Sequence, residues 1–493
     1  MNMNRNAWIA ALSFGLVAAV ATPSAGQPLT FQKVWTYGHS TPGQVSEIPA
    51  YDARTNTVWV AGVVGVDVID AATGTLVDHI DVTSHGFINS VAIHNGLAAF
   101  AVEAPVDRRL PGKVLLYNTR SRTPVRGTSE IAVGPLPDML TFTPDGRRLL
   151  VANEGTPNAV ADTPYVAPDP PGSVSIIDVQ ARSVIATAGL SGVPQYGSHL
   201  RTNSGMDFEP EYIAVEPGGR RAFVTLQEGN AVGILDLAVN AFTAIVGLGA
   251  KDFSVPGSEI DTVDNDGQVL FQAVAAKGLY MPDSIASFRH RGETFVVTAN
   301  EGDFREDNVD RSAGSTFGAA APLNRLRVVN TESSAGNLYA AGARSFSIWT
   351  ANGSLVFDSG NTLDVEAAAR GIYDDVRSRD KGVEPEGVAV HSIRGRRYAF
   401  IGLERTLHSA VAVFDISNPY AVTFVDMIVT PGDRAPEGLK VFTHRGKHYL
   451  AIANETAATG ATLTNTTLYR IGVPPRGNHD DDDDREESDD DRD

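Results

Sequence analysis

Cysteine is absent from this chain of 493 residues. No disulfide therefore stabilises the fold, and no thiolate can serve as a nucleophile or metal ligand. No apolar run of membrane-spanning length follows the N-terminus. Basic residues are also scarce, because 40 Lys and Arg stand against 59 Asp and Glu and give a net charge of −19. This balance argues against a nucleic-acid partner, since phosphate backbones are bound by Lys and Arg.

Several common catalytic motifs are missing as well. The sequence contains no G-x-S-x-G nucleophile elbow, no H-E-x-x-H helix, and no P-loop or dinucleotide-binding fingerprint. Helix-period runs are rare, whereas short bursts of Val, Ile, Phe and Tyr alternate with Gly-rich turns. This composition predicts an all-β chain with many turns.

The first 26 residues have the pattern of a signal peptide. Arg5 supplies the positive start, Ala7–Ala21 is apolar and rich in small residues, and cleavage is expected after Ala21 or near Ala25. An N-terminal membrane anchor is the alternative. With a cleaved signal at residues 1–26, the mature protein is secreted, periplasmic or at the cell surface, and has no transmembrane span.

A repeated unit organises the rest of the chain. In Val383–Arg405 a Pro-acid pair opens one apolar run, and a second apolar run closes on Glu404. The two runs predict a hairpin that places Glu386 and Glu404 side by side. Seven such copies align, and they begin at or near Glu47, Asn89, Pro137, Pro210, Pro282, Pro385 and Pro436.

The seven copies predict an all-β, seven-bladed β-propeller over residues 27–475, with six or eight blades as alternatives. The last copy ends with Thr467–Ile471 and lacks a fourth strand. We expect Leu29–Tyr37 to supply that outermost strand, so that an N-terminal strand closes the last blade. We also expect a monomer with a disordered acidic tail at 476–493. The longer polar insertions at 248–279 and 303–343 are expected to be functional or disordered.

The repeat places two sets of acidic residues at one mouth of the ring. The first set is Glu47, Asp138, Glu211, Asp283, Glu386 and Glu437, and the second is Glu103, Glu154, Glu228, Glu301, Glu404 and Glu455. So many carboxylates repel one another unless cations, Arg or raised pKa values compensate them. Hard cations suit oxygen ligands, so the sequence predicts Ca²⁺ first and Mg²⁺ or Mn²⁺ next. The alternative is a turn in which each carboxylate caps backbone N–H groups.

Two further groups of charged residues accompany this rim. Arg305 and Arg405 follow the rim glutamates and can act as ion-pair partners or bind phosphate. Asp303, Glu306 and Asp307 could extend the rim site. Asp261, Asp264 and Asp266 precede Gly267 and resemble part of a calcium loop, although the spacing and the missing twelfth-position Glu exclude an EF-hand. A polar surface turn is the alternative for these three aspartates.

Six segments carry a resemblance to a known family: Ser46–Asp52, Pro210–Asp236, Ser258–Gly267, Met281–Glu306, Glu384–Arg405 and Pro436–Phe442. They resemble the choice-of-anchor I family of exported bacterial β-propellers, which is related to the mesenchyme-specific cell surface glycoproteins of animals. Some relatives are described as atypical alkaline phosphatases, and others resemble phytase-like propellers. The resemblance implies an exported propeller and points to phosphoester chemistry, but it supplies no catalytic residue set.

Two functions are expected from these patterns. In the first, a divalent-metal-dependent phosphoesterase acts on a small phosphate ester, with Glu301 or Glu404 as base and Arg305 or Arg405 holding the phosphate. Its metal ligands would be Glu211, Asp283, Glu386 and Glu437. In the second, a non-catalytic propeller with structural calcium binds a ligand or protein at the cell surface. Three converging carboxylates with an open coordination position would favour the enzyme, and carboxylates bound to local backbone would favour the binding module.

Overall fold

The computed structural model describes residues 28–156, 170–201, 208–304, 310–457 and 460–474. The predicted signal peptide, the predicted acidic tail, and Arg305, Glu306 and Asp307 lie outside the described residues. Strands dominate the described part. Its helical elements are one α-helix, Thr362–Ala369, and the 3-10 helices Gly314–Phe317 and Asp375–Arg377. The all-β prediction is confirmed.

In the described part of the chain, seven sheets of four or five mainly antiparallel strands follow one another. Sheet 1 contains Pro49–Asp52, Thr57–Gly62, Gly65–Asp70 and Leu76–Asp81. Sheet 2 contains Ile88–His94, Leu97–Val102, Pro111–Asn118 and Glu130–Pro135, with the short strand Thr123–Pro124 beside Pro111–Asn118. Sheet 3 contains Pro137–Phe142, Arg148–Asn153, Ser173–Asp178 and Ser183–Gly189. Sheet 4 contains Pro210–Val215, Arg221–Leu226, Ala231–Asp236 and Ala241–Leu248, with Gln195–Ser198 parallel to the last of these.

The remaining three sheets have the same order of strands. Sheet 5 contains Ile285–His290, Glu293–Asn300, Ser345–Thr350 and Leu355–Asp358. Sheet 6 contains Pro385–Ile393, Arg396–Leu403, Ser409–Asp415 and Thr423–Thr430. Sheet 7 contains Arg434–His444, Lys447–Thr456 and Asn465–Gly472, and its fourth strand is the N-terminal Thr30–Gly38, antiparallel to Asn465–Gly472. The first and last described strands of the chain therefore belong to one sheet.

The sheets pack face to face, which explains why their second strands are apolar on both sides. In Thr57–Gly62 of sheet 1, alternate side chains point to opposite faces, as in any β-strand. Val58 and Val60 pack into a cluster with residues of sheet 7. Trp59 and Ala61 pack into a different cluster with residues of sheet 2. Sheet 1 thus lies between sheets 7 and 2, and burial of both faces stabilises all three.

The first strands of the seven sheets lie next to one another. Each contacts the first strand of the following sheet, and the first strand of sheet 7 contacts that of sheet 1. Residues from all seven first strands line one cavity of about 330 Å³. Side chains at the ends of these first strands therefore lie close together.

The two long insertions differ from the polar loops expected from the sequence. Their described parts form one sheet of Ala250–Asp252, Lys277–Leu279 and Tyr339–Ala340 and a second of Arg311–Ala313 and Arg327–Val329. Phe253 and Leu326 are fully buried in an apolar cluster that the insertions build between them. The insertions are therefore packed structure beside sheet 5.

Candidate functional site

The first set of acidic residues lies where the first strands enter their sheets. In sheets 3, 4, 6 and 7 the pairing register shifts directly after the proline, so the acidic residue lies in a β-bulge. The residues concerned are Asp138, Glu211, Glu386 and Glu437. A bulge re-aims the side chain it contains and ends regular pairing. These carboxylates consequently line cavities at one end of the first strands, which we call the mouth.

The backbone before the proline is unusual at four of these entries. The φ angle is 44° at Leu136, 41° at Met281, 50° at Glu384 and 52° at Ala435. Non-glycine residues seldom occupy this left-handed region and need surrounding contacts to hold them there. The N–H of Glu154 donates to the Leu136 carbonyl oxygen at 2.9 Å, and the N–H of Glu404 donates to that of Glu384 at 2.9 Å. These bonds hold the acidic residue that ends the second strand of a hairpin beside the start of the first strand.

One part of the mouth is a cavity of about 290 Å³, which we call the acidic cavity. Seven carboxylates line it: Glu47, Asp138, Glu154, Glu211, Asp283, Glu437 and Glu455. Arg108 is the basic residue among the described residues that line this cavity, and its Nε lies 3.5 Å from Glu103 Oε2. The predicted convergence of carboxylates is present here, with far more negative than positive groups.

A neighbouring cavity of about 400 Å³ is mixed in charge, and we call it the mixed-charge cavity. It shares Glu437 with the acidic cavity. Its other acidic lining residues are Glu301, Asp303, Glu384, Glu386 and Glu404, and its basic ones are Arg311, Arg377, Lys381 and Arg405. Four basic residues line this cavity and one, Arg108, lines the acidic cavity, so the two cavities offer different electrostatic surroundings.

Among the residues that the structure describes, two groups of three carboxylates have the spacing of a metal site. One oxygen from each of Glu301, Glu386 and Glu404 lies within 4.8 Å of the others, and the same holds for Glu404, Glu437 and Glu455. Glu404 belongs to both groups. The sequence predicted all five residues for this site, with Glu301 and Glu404 as bases rather than ligands.

The first of these groups is already compensated by protein donors. Lys381 Nζ lies 2.5 Å from Glu301 Oε1 and 3.0 Å from Glu384 Oε2, and it donates to the Gly302 carbonyl oxygen at 2.6 Å. Gln227 Nε2 donates to the other oxygen of Glu301 at 2.8 Å. Both oxygens of Glu301 are therefore in use, so this residue is a weaker candidate for metal ligand or base than Glu404.

The second group has fewer protein donors. Arg405 Nη2 lies 2.7 Å from Glu404 Oε1, and the Arg405 side chain is 45% exposed. Glu437 and Glu455 face the acidic cavity. An ion held by Glu404, Glu437 and Glu455 would lie between the two cavities, with the arginine beside it. Arg305, the other predicted phosphate-binding residue, lies outside the described residues.

Burial raises the pKa of many of these carboxyls, and neighbouring carboxylates reinforce the effect. The pKa of Glu47 and of Glu404 is raised to about 8, and that of Glu154 to about 7. Burial raises the pKa of Asp283 to about 6 and that of Asp303 to about 7. For four others burial is again the main cause and the pKa is well above its usual range: Asp138, Glu211, Glu386 and Glu437. In the absence of cations, the mouth therefore retains protons near neutral pH.

Lys381, Arg377 and Glu384 were missed by the sequence reasoning. Burial opposes the charge on Lys381, but Glu301 and Glu384 outweigh it and raise its pKa well above the usual value. Burial likewise opposes ionisation of Glu384, yet Lys381 and Arg377 lower its pKa. Arg377 Nη2 lies 2.5 Å from Glu384 Oε1. The available signal was the charged run before the Pro385–Glu386 pair, in which Lys381 and Glu384 stand among small apolar residues.

The three aspartates predicted as a calcium loop have separate partners. Asp264 accepts hydrogen bonds from Arg325 at 2.8 Å and lies 3.3 Å from Arg379 Nε. Asp261 accepts from the Ser378 hydroxyl at 3.0 Å, and Asp266 accepts from the Gln268 N–H at 2.8 Å. Among the described residues these aspartates do not form a three-carboxylate group within 4.8 Å. Their calcium site stays a prediction, and the observed partners are those of a structural turn.

Glu103 and Glu228 occupy the margins of the mouth. Glu103 contacts Arg108 and does not line either cavity. Glu228 is 8% exposed, and within the described residues its Oε2 has no hydrogen-bond partner. They therefore place two further carboxyl groups near the cavities.

The mainly antiparallel sheets and the acidic mouth define an all-β, propeller-like protein with a candidate metal centre. Residues 47–419 match the model of the choice-of-anchor I domain, and the chain belongs to this family. Membership indicates a cell-surface or exported protein. Along the part of the chain that the structure describes, none of the helices has the length and apolar character needed to cross a membrane.

The chain is also similar to two solved structures. A chain of the mitotic checkpoint complex is 13% identical with a TM-score of 0.50, and the match covers 94% of this chain and 98% of that one. Kuenenia stuttgartiensis hydrazine synthase is 14% identical with a TM-score of 0.50, covering 89% of this chain and 98% of that one. At these identities the similarity concerns the fold alone. A search of curated proteins found no match.

Proposed function

We propose that the chain is an exported β-propeller of seven blades that binds a divalent cation at its mouth and uses it to hydrolyse phosphate esters. Each of the seven sheets is one blade, and Thr30–Gly38 is the outermost strand of the last. The contact between the first strands of sheets 7 and 1 supports this closed ring. We further propose that a signal peptide at residues 1–26 is cleaved and that residues 27–475 form a monomeric propeller.

The observation that carries the cation site is the group formed by Glu404, Glu437 and Glu455, whose oxygens lie within 4.8 Å of one another beside open cavity space. Glu404 and Glu437 come from sheets 6 and 7, and Glu455 from the second strand of sheet 7. Because the group joins different strands through bulged or terminal positions, the sheet framework fixes its geometry. The remaining coordination positions face the cavities and are available to water or substrate.

The donor set fits a hard cation. The described residues that line the two cavities include carboxylates but no histidine, and the chain has no cysteine. Oxygen-only ligands suit Ca²⁺, Mg²⁺ and Mn²⁺ and do not suit zinc, which is commonly bound by nitrogen and sulfur. We favour Ca²⁺ because several carboxylates surround an open space and Ca²⁺ accepts six to eight oxygen ligands.

For phosphoester hydrolysis, the residues beside the ion have separable roles. A bound divalent cation would polarise a phosphoryl oxygen and lower the pKa of a water molecule. Arg405 is half-exposed at the edge of the mixed-charge cavity and can bind phosphate oxygens through its planar donors. Glu404 holds this ion; burial and Glu301 raise its pKa to about 8 when no cation is bound, so it releases a proton near neutral pH as the ion binds.

The test is hydrolysis of a generic chromogenic phosphomonoester and phosphodiester by chelator-treated protein, with Ca²⁺, Mg²⁺ or Mn²⁺ restored separately. Glu437→Gln is compared with Glu293→Gln, a matched change at an exposed residue on the strand that precedes Glu301. Activity should disappear with chelator, return with one cation, fall at least about tenfold in the first variant, and persist in the second. Absence of hydrolysis with every cation in folded wild-type protein would refute the catalytic part.

A non-catalytic binding propeller with structural calcium is the second candidate. The observation that favours it is the use of both Glu301 oxygens by Lys381 and Gln227, an arrangement typical of a fixed structural carboxylate. In that case the chelator should lower the melting temperature of the protein, and the hydrolysis assay should stay at background with every cation. The face would then recognise a ligand or protein at the cell surface.

A further inference from the structure

Two histidine rings meet at the end of the sheets opposite the mouth. His391 lies near the end of the first strand of sheet 6, and His448 lies at the start of the second strand of sheet 7. His391 Nε2 lies 3.2 Å from His448 Nδ1. The Thr443 hydroxyl oxygen lies 3.1 Å from the first nitrogen and 3.0 Å from the second. Sheets 6 and 7 thus direct two imidazole nitrogens and one hydroxyl towards one point.

Positive charges surround this pair of rings. Burial, reinforced by His448 and Lys440, lowers the pKa of His391 to about 4. Burial also lowers the pKa of His448, and the charge of Arg394 adds to that effect. Tyr398 stands opposite His391 in the neighbouring strand and is a neutral phenol at pH 7, because burial raises its pKa. Among the described residues, the charges that reach the two rings are therefore those of cations, and no carboxylate compensates them.

Lys440 connects this end of the sheets with the cavity between the first strands. It lines that cavity of about 330 Å³, whose described lining residues include no Asp, Glu or Arg. The residue has accessible surface, yet the surrounding protein reduces the hydration of its amine, and burial lowers its pKa without a contribution from any described carboxylate. A poorly hydrated ammonium without a carboxylate partner costs free energy that a bound anion would offset.

We propose that His391, His448, Lys440 and Arg394, which we call the basic cluster, bind a phosphate group at the end of the sheets opposite the mouth. Imidazolium, ammonium and guanidinium groups all donate strong hydrogen bonds to a tetrahedral oxyanion. The Thr443 hydroxyl lies between the two rings and can donate a further bond. The site uses neither the cation nor any carboxylate of the proposed function.

The apolar wall beside Lys440 bears on the source of the phosphate group. Val91, Leu140 and Phe142 line the same cavity. A phosphate ester could therefore place an apolar group between the first strands while its phosphate contacts the basic cluster. Free phosphate would use the same donors and leave the cavity to water. We expect phenyl phosphate to bind more tightly than inorganic phosphate, because its ring buries apolar surface.

Anion binding at this site should be coupled to proton uptake. Without an anion the lowered pKa keeps His391 neutral at pH 7, so only one of its nitrogens can donate. A neighbouring anion favours the imidazolium and raises that pKa. Because the bound state takes up protons, affinity should increase as pH falls from 8 to 5. Sulfate is the probe for this relation, since its charge is constant over the interval whereas phosphate changes its own charge.

The experiment is calorimetric titration of inorganic phosphate, phenyl phosphate and sulfate into chelator-treated full-length protein, so that no cation at the mouth binds them. We expect one saturable site, with a dissociation constant at least about tenfold larger in Lys440→Met. Arg394→Asn is the second variant, because asparagine tolerates the left-handed backbone of this turn. Lys33→Met, at an exposed residue on the outer strand of sheet 7, is the matched control and should keep the wild-type affinity. His391→Gln should weaken the dependence on pH, and circular dichroism verifies that each variant is folded.

The results separate this inference from the proposed function. The basic cluster would be overturned if folded wild-type protein bound none of the three anions, or if Lys440→Met and Arg394→Asn both kept the wild-type affinity. Sulfate affinity that does not increase as pH falls would also overturn it. Equal affinity for phenyl phosphate and inorganic phosphate would assign the site to free phosphate.

Glu437→Gln should lower cation-dependent hydrolysis and leave anion binding in chelator unchanged, because Glu437 lies at the mouth. Hydrolysis in a protein that binds no anion in chelator would refute the basic cluster and leave the proposed function standing. Anion binding with the expected variant pattern but no hydrolysis would support the basic cluster and refute the catalytic proposal.

Discussion

Lys381 and Glu301 form a buried ion pair, with Nζ and Oε1 2.5 Å apart, at the edge of the candidate metal site. The lysine uses its three donors on Glu301, Glu384 and the Gly302 carbonyl oxygen. A Lys ammonium has three donors and no acceptor, so this contact set satisfies it fully. The protein thus places a buried cation beside the carboxylates of the mixed-charge cavity, whereas seven carboxylates and Arg108 line the acidic cavity.

The first prediction concerns the stability that Lys381 provides. Lys381→Met should lower the free energy of unfolding by roughly 3–5 kcal/mol, because it leaves Glu301 and Glu384 buried without their partner. Urea denaturation at neutral pH measures the change. The matched control is Lys113→Met, whose partner Glu130 is half-exposed and whose loss should cost at most about 1 kcal/mol. Equal losses in the two variants would show that Lys381 does not compensate a buried charge.

The second prediction is a loss of stability with rising pH when cations are absent. The folded state holds protons on Glu47 and Glu404, whose pKa values are about 8 against the ordinary value of 4.5. The folded state therefore binds more protons than the unfolded state between these values, and the free energy of unfolding must fall as pH rises through that range. Ca²⁺ should counter the loss because it replaces the protons.

Melting temperature measured from pH 5 to pH 9, in chelator and in Ca²⁺, tests this relation. We expect a falling curve in chelator and a flatter one in Ca²⁺, with the largest difference above pH 8. Glu404→Gln should flatten the chelator curve, since the substituted amide does not titrate. A chelator curve that rises over this interval would contradict the proton-retaining mouth.

The repeat itself could be predicted from the sequence because its signals are local. Pro-acid pairs, apolar runs and a closing acidic residue recur in the third to seventh copies; the first copy has Ser46 before Glu47 and no closing acid, and in the second copy Asn89 replaces the opening acid. The observed pairing of Pro385 with Leu403 brings Glu386 and Glu404 to one end of a hairpin, as the spacing indicated. Local pattern was sufficient here, because neighbouring strands of one hairpin determine each other's register.

The other features of the site and fold depend on contacts between residues far apart in the sequence, which no local pattern predicts. Lys381 meets Glu301 across 80 positions in the chain, and no periodicity predicts that approach. The left-handed backbone of Leu136 and Ala435 is not signalled by glycine, because surrounding contacts impose it. The apolar residues of the insertions, such as Phe253 and Leu326, are too irregularly spaced to indicate a core.

The third prediction distinguishes the two roles of Arg405. Its guanidinium lies 2.7 Å from Glu404 Oε1 and so competes with a cation for that carboxylate. Arg405→Met should tighten Ca²⁺ binding by up to about tenfold, equivalent to about 1.4 kcal/mol, because it removes this competitor. The same change should raise KM for a phosphate ester if the arginine binds the substrate phosphate. Calorimetry and steady-state kinetics measure the two effects.

Arg405→Lys provides the control for this pair of effects. It retains a positive charge near Glu404 but loses the planar, two-pronged donor geometry. Ca²⁺ affinity should therefore stay near the wild-type value, while KM should still rise. An unchanged KM in both variants would remove Arg405 from the phosphate-binding role and leave it as a partner of Glu404.

The fourth prediction tests whether the N-terminal strand holds the ends of the chain together. Trp35 lies on Thr30–Gly38, is 9% exposed, and donates from its indole Nε1 to the Ala71 carbonyl oxygen of sheet 1 at 3.0 Å. Trp35→Ala removes this link and buried apolar surface, so it should cost about 3–5 kcal/mol of unfolding free energy. Val34→Ala on the same strand, at a residue that is 42% exposed, should cost far less.

Because sheet 7 is complete only with this strand, hydrogen exchange in Trp35→Ala should accelerate first in Asn465–Gly472. Uniform acceleration over all seven sheets would instead indicate that the strand contributes only to global stability.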